Sequence, residues 1–463
     1  MSSPPKTLDP PAPSVFGARG LAALRARSYG LLSGDSIRVS ITFAITRAPA
    51  FLLPMAIAST LGVSSHTDRF FLALALATFA LNAISATAES VAVPFLAEAQ
   101  HQGRSGRLML ERMMIGVTGG VAVALTVAYV GIRIVWPTPA TGSPDGVGAA
   151  EYLLALAPYV AFGSVTALAT GALYASRRFL IATSSYGLRP LVAIAFVLAL
   201  GPRIGAVALA LGLSLGSLIQ ILALVAPLRR AYAKPRPRVP AAGGKPALPS
   251  LYGQATWQLL ASLVHGIMPL IDRFMTWRLE TGSLSILEYS ERLWAVPVNL
   301  LASGVLIVCL TDWSQAHADP LKRKQLRNTV LGAARTVFLA MVPIAALIIG
   351  LRYQLVGMVL GRGAFPLDSI PVAADTTAVL FAGMPLYLVG LVYVRALVAT
   401  KRTRWLFFVA VFQVIAKVSG NLLLLPVWGV VGAAAATTGV HALTCVLLMM
   451  AFRRTEPSTG EAT

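Results

Sequence analysis

Charge is what this sequence has least of. Only 12% of its 463 residues are Asp, Glu, Lys or Arg, about half the share usual in a soluble domain. Acid is the scarcer sign, with 18 acidic against 38 basic residues and a net charge of +20. Two cysteines, Cys309 and Cys445, both in apolar segments, exclude a disulfide framework. Five histidines scattered at His66, His101, His265, His317 and His441 suggest no zinc site and no nucleophile triad. No Gly-rich phosphate loop of the Walker type occurs, so ATP is not the direct driver. A transporter, not a membrane enzyme, fits what remains. The first stretch, "MSSPPKTLDPPAPSV", is polar and Pro-rich and is not a secretory signal. The following "GARGLAALRARSYGLL" reads as an amphipathic surface helix with Arg19, Arg25 and Arg27 toward headgroups, or as a basic tail.

Long apolar runs fill the rest: 56% of residues are hydrophobic and the mean hydropathy is +0.74. A spanning helix needs about 20 apolar residues, and roughly twelve such runs can be placed. They start near Ile37, Phe70, Met114, Tyr152, Ser185, Ala206, Leu251, Ser285, Val330, Ala373, Leu406 and Val430. Lipid leaves no backbone group unpaired, and the runs are too long and unalternating for barrel strands. The expected fold is therefore an all-α polytopic membrane protein, with about twelve transmembrane helices in two six-helix bundles around a central cavity.

Basic residues repeat at alternate loops: Arg104, Arg107 and Arg112; Arg177 and Arg178; Arg229 to Lys245; Lys322 to Arg327; Lys401 to Arg404; Arg453 and Arg454. The other loops keep only scattered cations such as Arg69, Arg203, Arg278, Arg352 and Arg362. The positive-inside rule then puts both termini in the cytoplasm of a multi-pass protein. Cations distributed this way account for the net charge through membrane lipids, without nucleic acid as a partner.

Residues 229–249, "RRAYAKPRPRVPAAGGKPALP", interrupt the apolar rhythm. They divide the chain into a tail (1–36), a first bundle (37–228), a basic linker, a second bundle (250–452) and a short tail (453–463). Six spans on each side give the halves the same orientation, as in a parallel repeat. A weak echo supports the repeat: Thr67-Asp68-Arg69 opens the second span of one half, and Ser290-Glu291-Arg292 falls early in the second span of the other.

Charge within a span costs ~2.5–3.5 kcal/mol on insertion scales, so residues that remain there face protein or a wet cavity. The candidates are Arg47, Glu89, Arg189, Asp272, Arg273, Glu288, Glu291, Arg292, Arg335, Arg395 and Lys417. Arg47 is the only charge in "VSITFAITRAPAFLLPMAIASTLG", where Pro49 and Pro54 are expected to bend the helix. Glu288 and Arg292 are four apart and share a helix face. Glu291 lies off that line and is expected to meet Arg273 or Asp272 of the preceding helix. Arg335 reads as a snorkelling arginine, Glu89 as paired with an arginine, and Lys417 as a candidate for local pairing. For each, a structural ion pair is the alternative to ligand contact. Arg47, Arg292, Arg273 and Arg395 are the substrate-binding candidates; Asp68, Asp272, Glu288 and Glu291 are the gating or ion-pair candidates. A cavity rich in arginine suits an anionic ligand, because guanidinium meets phosphate in a bidentate fork.

Ordered pieces of the chain carry a family resemblance. "TDRFFLAL" and "VPFLAEAQ" in the first half are followed by "LIDRFMTWRLETGSLSILEYSERLWAVPVNLL". Then come "GRGAF", "AGMPLYLVGLVYVRALVATKRTR" and "LPVWGVVGAAAATT". Together they resemble the MurJ/MviN lipid II flippases of the multidrug/oligosaccharidyl-lipid/polysaccharide exporter superfamily. The resemblance implies alternating-access export of an undecaprenyl-pyrophosphate-linked glycan across the bacterial inner membrane. It also implies a cofactor-free, monomeric transporter, with cell-envelope synthesis proteins as companions and membrane potential, H⁺ or Na⁺ as energy sources. By the same resemblance Thr46-Arg47, Asp68 and Glu291-Arg292 match family positions, and the two arginines are implied to contact the pyrophosphate or nearby sugar. Two departures stand out. A family arginine falls at Leu53 here, and a family arginine pair falls in "FALNAI". The sequence also reads as ending after its twelfth span, without the family's last two helices. These leave open a flippase for an exopolysaccharide or O-antigen repeat unit. A cation-coupled multidrug antiporter and a non-transporting envelope scaffold are the readings from other classes.

Overall fold

The computed structural model describes residues 34–101, 106–135, 148–176, 178–232, 263, 266–318, 320–400 and 404–454. The expected terminal tails up to residue 33 and from residue 455, and all of the basic linker beyond Tyr232, lie outside these residues, as does the side chain of Glu89; residues 34–36 and 453–454 of the expected tails belong to the first and last helices. In chain order the helices of the first half are α1 (Gly34–Leu61), α2 (Ser65–His101), α3 (Gly106–Val135), α4 (Ala149–Ala175), α5 (Phe179–Ser184), α6 (Leu188–Ile204) and α7 (Val207–Tyr232). Those of the second half are α8 (residues 266–276), α9 (Ser283–Ala318), α10 (Pro320–Gly350), α11 (Arg352–Val359), α12 (Ile370–Ala399) and α13 (Arg404–Arg454). No strand occurs among the described residues.

Eight segments among the described residues are long and apolar enough to cross a membrane. One of them, within α13, is two helices joined at Gly429, whose φ of 53° and ψ of −135° break the helical path. Exposed Leu, Val, Ile and Phe side chains line the outer faces of α3, α10 and α13, which is where lipid would replace water.

Within the first half, α2 packs on α4, α7 on both α6 and α4, and α1 on α6. Within the second, α12 packs on α9, α10 and α13. The halves meet chiefly where α9 touches α1 and α2. Two details depart from the sequence expectation. α7 continues through Arg229 and Arg230 to Tyr232, four residues into the expected linker. Basic side chains complement the partial negative charge of a helix C-terminus and favour that extension. The fifth span, expected to start near Ser185, opens with a 3₁₀ turn at Ser185–Gly187, and the short α5 precedes it. Pro190 accounts for the turn, since its ring opposes a carbonyl four residues earlier and its nitrogen cannot close an α-helical bond.

At one end the two halves lock together. Asp68 of α2, 5% exposed, crosses to the second half and caps α9. It accepts N–H bonds from Gly282 at 2.6 Å and Ser285 at 2.8 Å, and the Ser285 hydroxyl also donates to it. The first turn of a helix has unpaired N–H groups that a carboxylate satisfies; here the cap comes from more than 200 residues away in sequence. The Tyr289 hydroxyl donates to the Gly62 carbonyl at 2.9 Å, and the Ala364 N–H to the Ser59 carbonyl at 2.8 Å. Gly62 and Gly363 have φ of 60° and 63°. A Cβ on either would sit 2.2 Å from the Ala364 oxygen or 2.1 Å from the Ser59 oxygen, so only glycine lets the halves approach this closely. Phe71, Tyr289 and Phe365 fill the space behind, with ring centroids 5.4 and 6.0 Å apart edge to face.

Candidate anion-binding cavity and its ion-pair support

Behind this seam lies a cavity of about 350 Å³ lined by three arginines, Arg47, Arg189 and Arg292. Among the described residues no carboxylate lines it; the other polar wall groups are Thr78, Tyr159 and Tyr186. Every lining residue except Arg292 belongs to the first half, so α9 closes a pocket that the first bundle mostly builds. Leu53, where the family resemblance anticipates arginine, also lines it and brings apolar surface instead.

Each arginine is held over an aromatic face. The guanidinium carbons of Arg47, Arg189 and Arg292 lie 5.6, 5.5 and 5.6 Å from the ring centroids of Tyr186, Tyr159 and Phe71. Such cation–π placement offsets part of the cost of removing a guanidinium from water. Local sequence explains the positions. The turn before Pro190 presents Tyr186 and Arg189 one after the other. Gly212 and Gly216, one helical turn apart on α7, face the backbone of Ala193 and Arg189 so closely that a Cβ on either would lie 2.8 Å from it. That small-residue stripe brings α6 against α7 and fixes where Arg189 starts.

Arg292 is steadied by an ion-pair chain. Glu288 accepts from its Nη2 at 2.9 Å and its Nε at 3.1 Å, across one helical turn. The second oxygen of Glu288 accepts from Arg273 Nη2 at 2.7 Å, and the same nitrogen bonds Glu291 at 2.8 Å. Arg273 also donates to the Pro269 carbonyl at 3.0 Å. The orienting partner of Arg292 is thus Glu288, and Glu291 acts through Arg273.

The structure therefore brings together two of the four substrate-binding candidates, Arg47 and Arg292. Arg273 spends its donors on Glu288, Glu291 and Pro269 and is not among the cavity-lining residues. Arg395, half-buried near the end of α12, is not among them either. Asp272 turns away from Arg273 and pairs with Lys417 at 2.7 Å, so that lysine has an ion-pair partner on another helix, not the local one expected. Arg335 is exposed, in keeping with a snorkelling position. Arg189 is the cavity residue that sequence reasoning left undecided; its place beside a helix-distorting proline was the available signal.

Comparisons with known proteins agree with this architecture. A family model described as lipid II flippase MurJ matches residues 57–462. The probable lipid II flippase MurJ of Haemophilus influenzae is 26% identical over 435 residues, covering 87% of this chain and 83% of that protein. The lipid II flippase MurJ of Burkholderia cenocepacia is 25% identical over 358 residues, covering 74% of this chain and 67% of that one. A solved structure of lipid II flippase MurJ in an inward closed conformation superposes with a TM-score of 0.75 at 20% identity, covering 91% of this chain and 88% of that one. An inward-facing multidrug resistance transporter of the MATE family and MOP superfamily gives 0.66 at 12% identity, covering 90% and 100%. The match over most of the chain, with a helical two-bundle fold to carry it, places this membrane transporter in the lipid II flippase MurJ family.

Proposed function

We propose that this protein moves a polyprenyl-pyrophosphate-linked glycan, lipid II or a related precursor, from the inner to the outer leaflet of the bacterial inner membrane by alternating access. The observation that carries the reading is the cavity, with its three arginines and no lining carboxylate among the described residues. Two phosphates in tandem need several fixed N–H donors, and arginine provides them in planar pairs. An antiporter for organic cations would want acid on these walls.

With both termini in the cytoplasm, the end closed by Asp68, Tyr289 and the Gly363 loop faces outward. The cavity then receives its ligand from inside. Arg47, Arg189 and Arg292 hold the pyrophosphate while the halves rock about α9. Release requires the Asp68 cap and the Gly62 and Gly363 contacts to part. The decisive experiment is a flipping assay in vesicles with defined lipid-linked glycans, alongside complementation of a strain depleted of its own flippase. Arg47→Ala and Arg292→Ala are expected to abolish both at normal expression, and full activity in either variant refutes the reading. Leu53 in the cavity wall favours one second reading, a repeat-unit lipid of an exopolysaccharide or O-antigen; the same assay separates the two by substrate.

A further inference from the structure

Asp272 and Lys417 form a buried polar centre inside the second bundle, away from the arginine cavity. Lys417 is 2% exposed and Asp272 4%. The ammonium has three protons to place and three oxygens around it: Asp272 Oδ1 at 2.7 Å, the Ala433 carbonyl at 3.3 Å, and the Thr437 hydroxyl. Asn421, one turn beyond Lys417 on the same helix and fully buried, donates its amide to Asp272 Oδ1 at 2.8 Å. Its own carbonyl oxygen is left buried with no hydrogen-bond partner. Thr437 also donates to the Ala433 carbonyl at 2.9 Å.

Carboxylate, main-chain carbonyl and hydroxyl oxygens, contributed by α8 and the second arm of α13, surround the ammonium and are the hard donors that suit alkali cations, with the unpartnered Asn421 amide oxygen buried beside them. We propose that this is a monovalent-cation site whose cation is built into the chain: the Lys417 ammonium stands where Na⁺ or K⁺ would bind. The wild-type protein takes up no alkali ion here, and replacing Lys417 with a short neutral residue opens the site to one. Asp272 precedes Arg273, which bonds Glu288 and, through it, Arg292, so the occupant of this centre sets the charge one residue from the cavity's support. A tethered occupant cannot leave during transport, which removes this site as a point of Na⁺ coupling. The inference rests on the buried geometry alone and stands whichever lipid is carried.

The test is thermal unfolding and radiolabelled Na⁺ binding of the purified full-length protein, in choline chloride with Na⁺, Li⁺ or K⁺ substituted at constant ionic strength. Wild type is expected to show no alkali-dependent shift and no bound Na⁺. Lys417→Asn is expected to melt lower in choline and to recover by a few degrees at saturating alkali ion. The double variant Asp272→Asn/Lys417→Asn is expected to respond to none. A folded Lys417→Asn protein that neither shifts nor binds overturns the proposal. So does wild-type Na⁺ binding that Asp272→Asn abolishes, a result that needs no Lys417 variant to fold. Lys417→Ser, with more room for an ion and its water, serves if Lys417→Asn aggregates. None of these readouts involves lipid, so their failure is separate from failure of the flippase reading.

Discussion

Arg189 and Glu288 decide more at the residue scale than their surroundings in sequence suggest. Arg189 faces the cavity with Tyr159 behind it and no acid on the described cavity walls. A charge-assisted bond to phosphate is worth about 1.5–3 kcal/mol, so Arg189→Ala should lower flipping roughly tenfold to a hundredfold. Arg189→Lys should recover only part, because a lysine cannot make the paired contact. Vesicle flipping rates for the two variants check this. Glu288 binds two arginines, whereas Glu291 binds one. Removing one partner of a buried pair costs up to about 3 kcal/mol, less where side chains are partly exposed, as here. Glu288→Gln should therefore lower the melting temperature more than Glu291→Gln, measured on purified protein in one detergent. The pairing of Glu288 with Arg292 was legible from their four-residue spacing, and that of Glu291 with Arg273 from neighbouring spans. The divergence of Asp272 from Arg273 was not. Consecutive helix residues point roughly 100° apart, and only the packed neighbours show which direction holds a partner.

At the scale of elements, the seam between halves is the part most open to test. Asp68 caps a helix of the other half, and Gly62 and Gly363 sit where any Cβ meets opposing backbone. Loss of a cap costs about 0.5–2 kcal/mol. Asp68→Ala should weaken the closed seam without unfolding either bundle, and Gly363→Ala should prevent its closure. A cysteine placed at Phe365, 3% exposed in the closed state, should react faster with a membrane-impermeant thiol reagent in both backgrounds. Unchanged reactivity would show that the seam is not a gate. The sequence showed Asp68 opening a span, as a position aligned with Glu291 in a weak echo. The structure gives the two acids different work, one capping a helix and the other bonding Arg273. The short α11 and the loop carrying Gly363 had no hydropathy signal, being too brief and too mixed to register as a span.

For the whole molecule, the proposed orientation, with the cation-rich loops in the cytoplasm, sets the sign of any voltage effect. A negative headgroup leaving a negative interior gains ~2.3 kcal/mol per charge per 100 mV, less the contribution of protein cations that move with it. Collapsing the potential across vesicles is expected to slow flipping, and an unchanged rate would remove voltage from the mechanism. The same measurement with Na⁺ replaced by choline should leave the wild-type rate as it was if, as proposed, the Lys417 ammonium occupies the cation centre of the second bundle.

Hydropathy and loop charge, read along the chain, determined that this is a helical membrane protein, roughly how many times it crosses, and which end carries its cations. Those properties depend on residues close in sequence, since a span is a local length of apolar chain and each loop's charge is its own. Tertiary structure alone decided which charges far apart in sequence meet. Arg47, Arg189 and Arg292 come from three helices spread over some 245 residues, yet line one cavity. Asp272 finds Lys417 rather than the acids and arginines nearest to it in sequence. Long-range packing makes these choices because a charge in a low-dielectric interior must be satisfied by whatever group the fold brings within about 3 Å, and no local pattern encodes that distance.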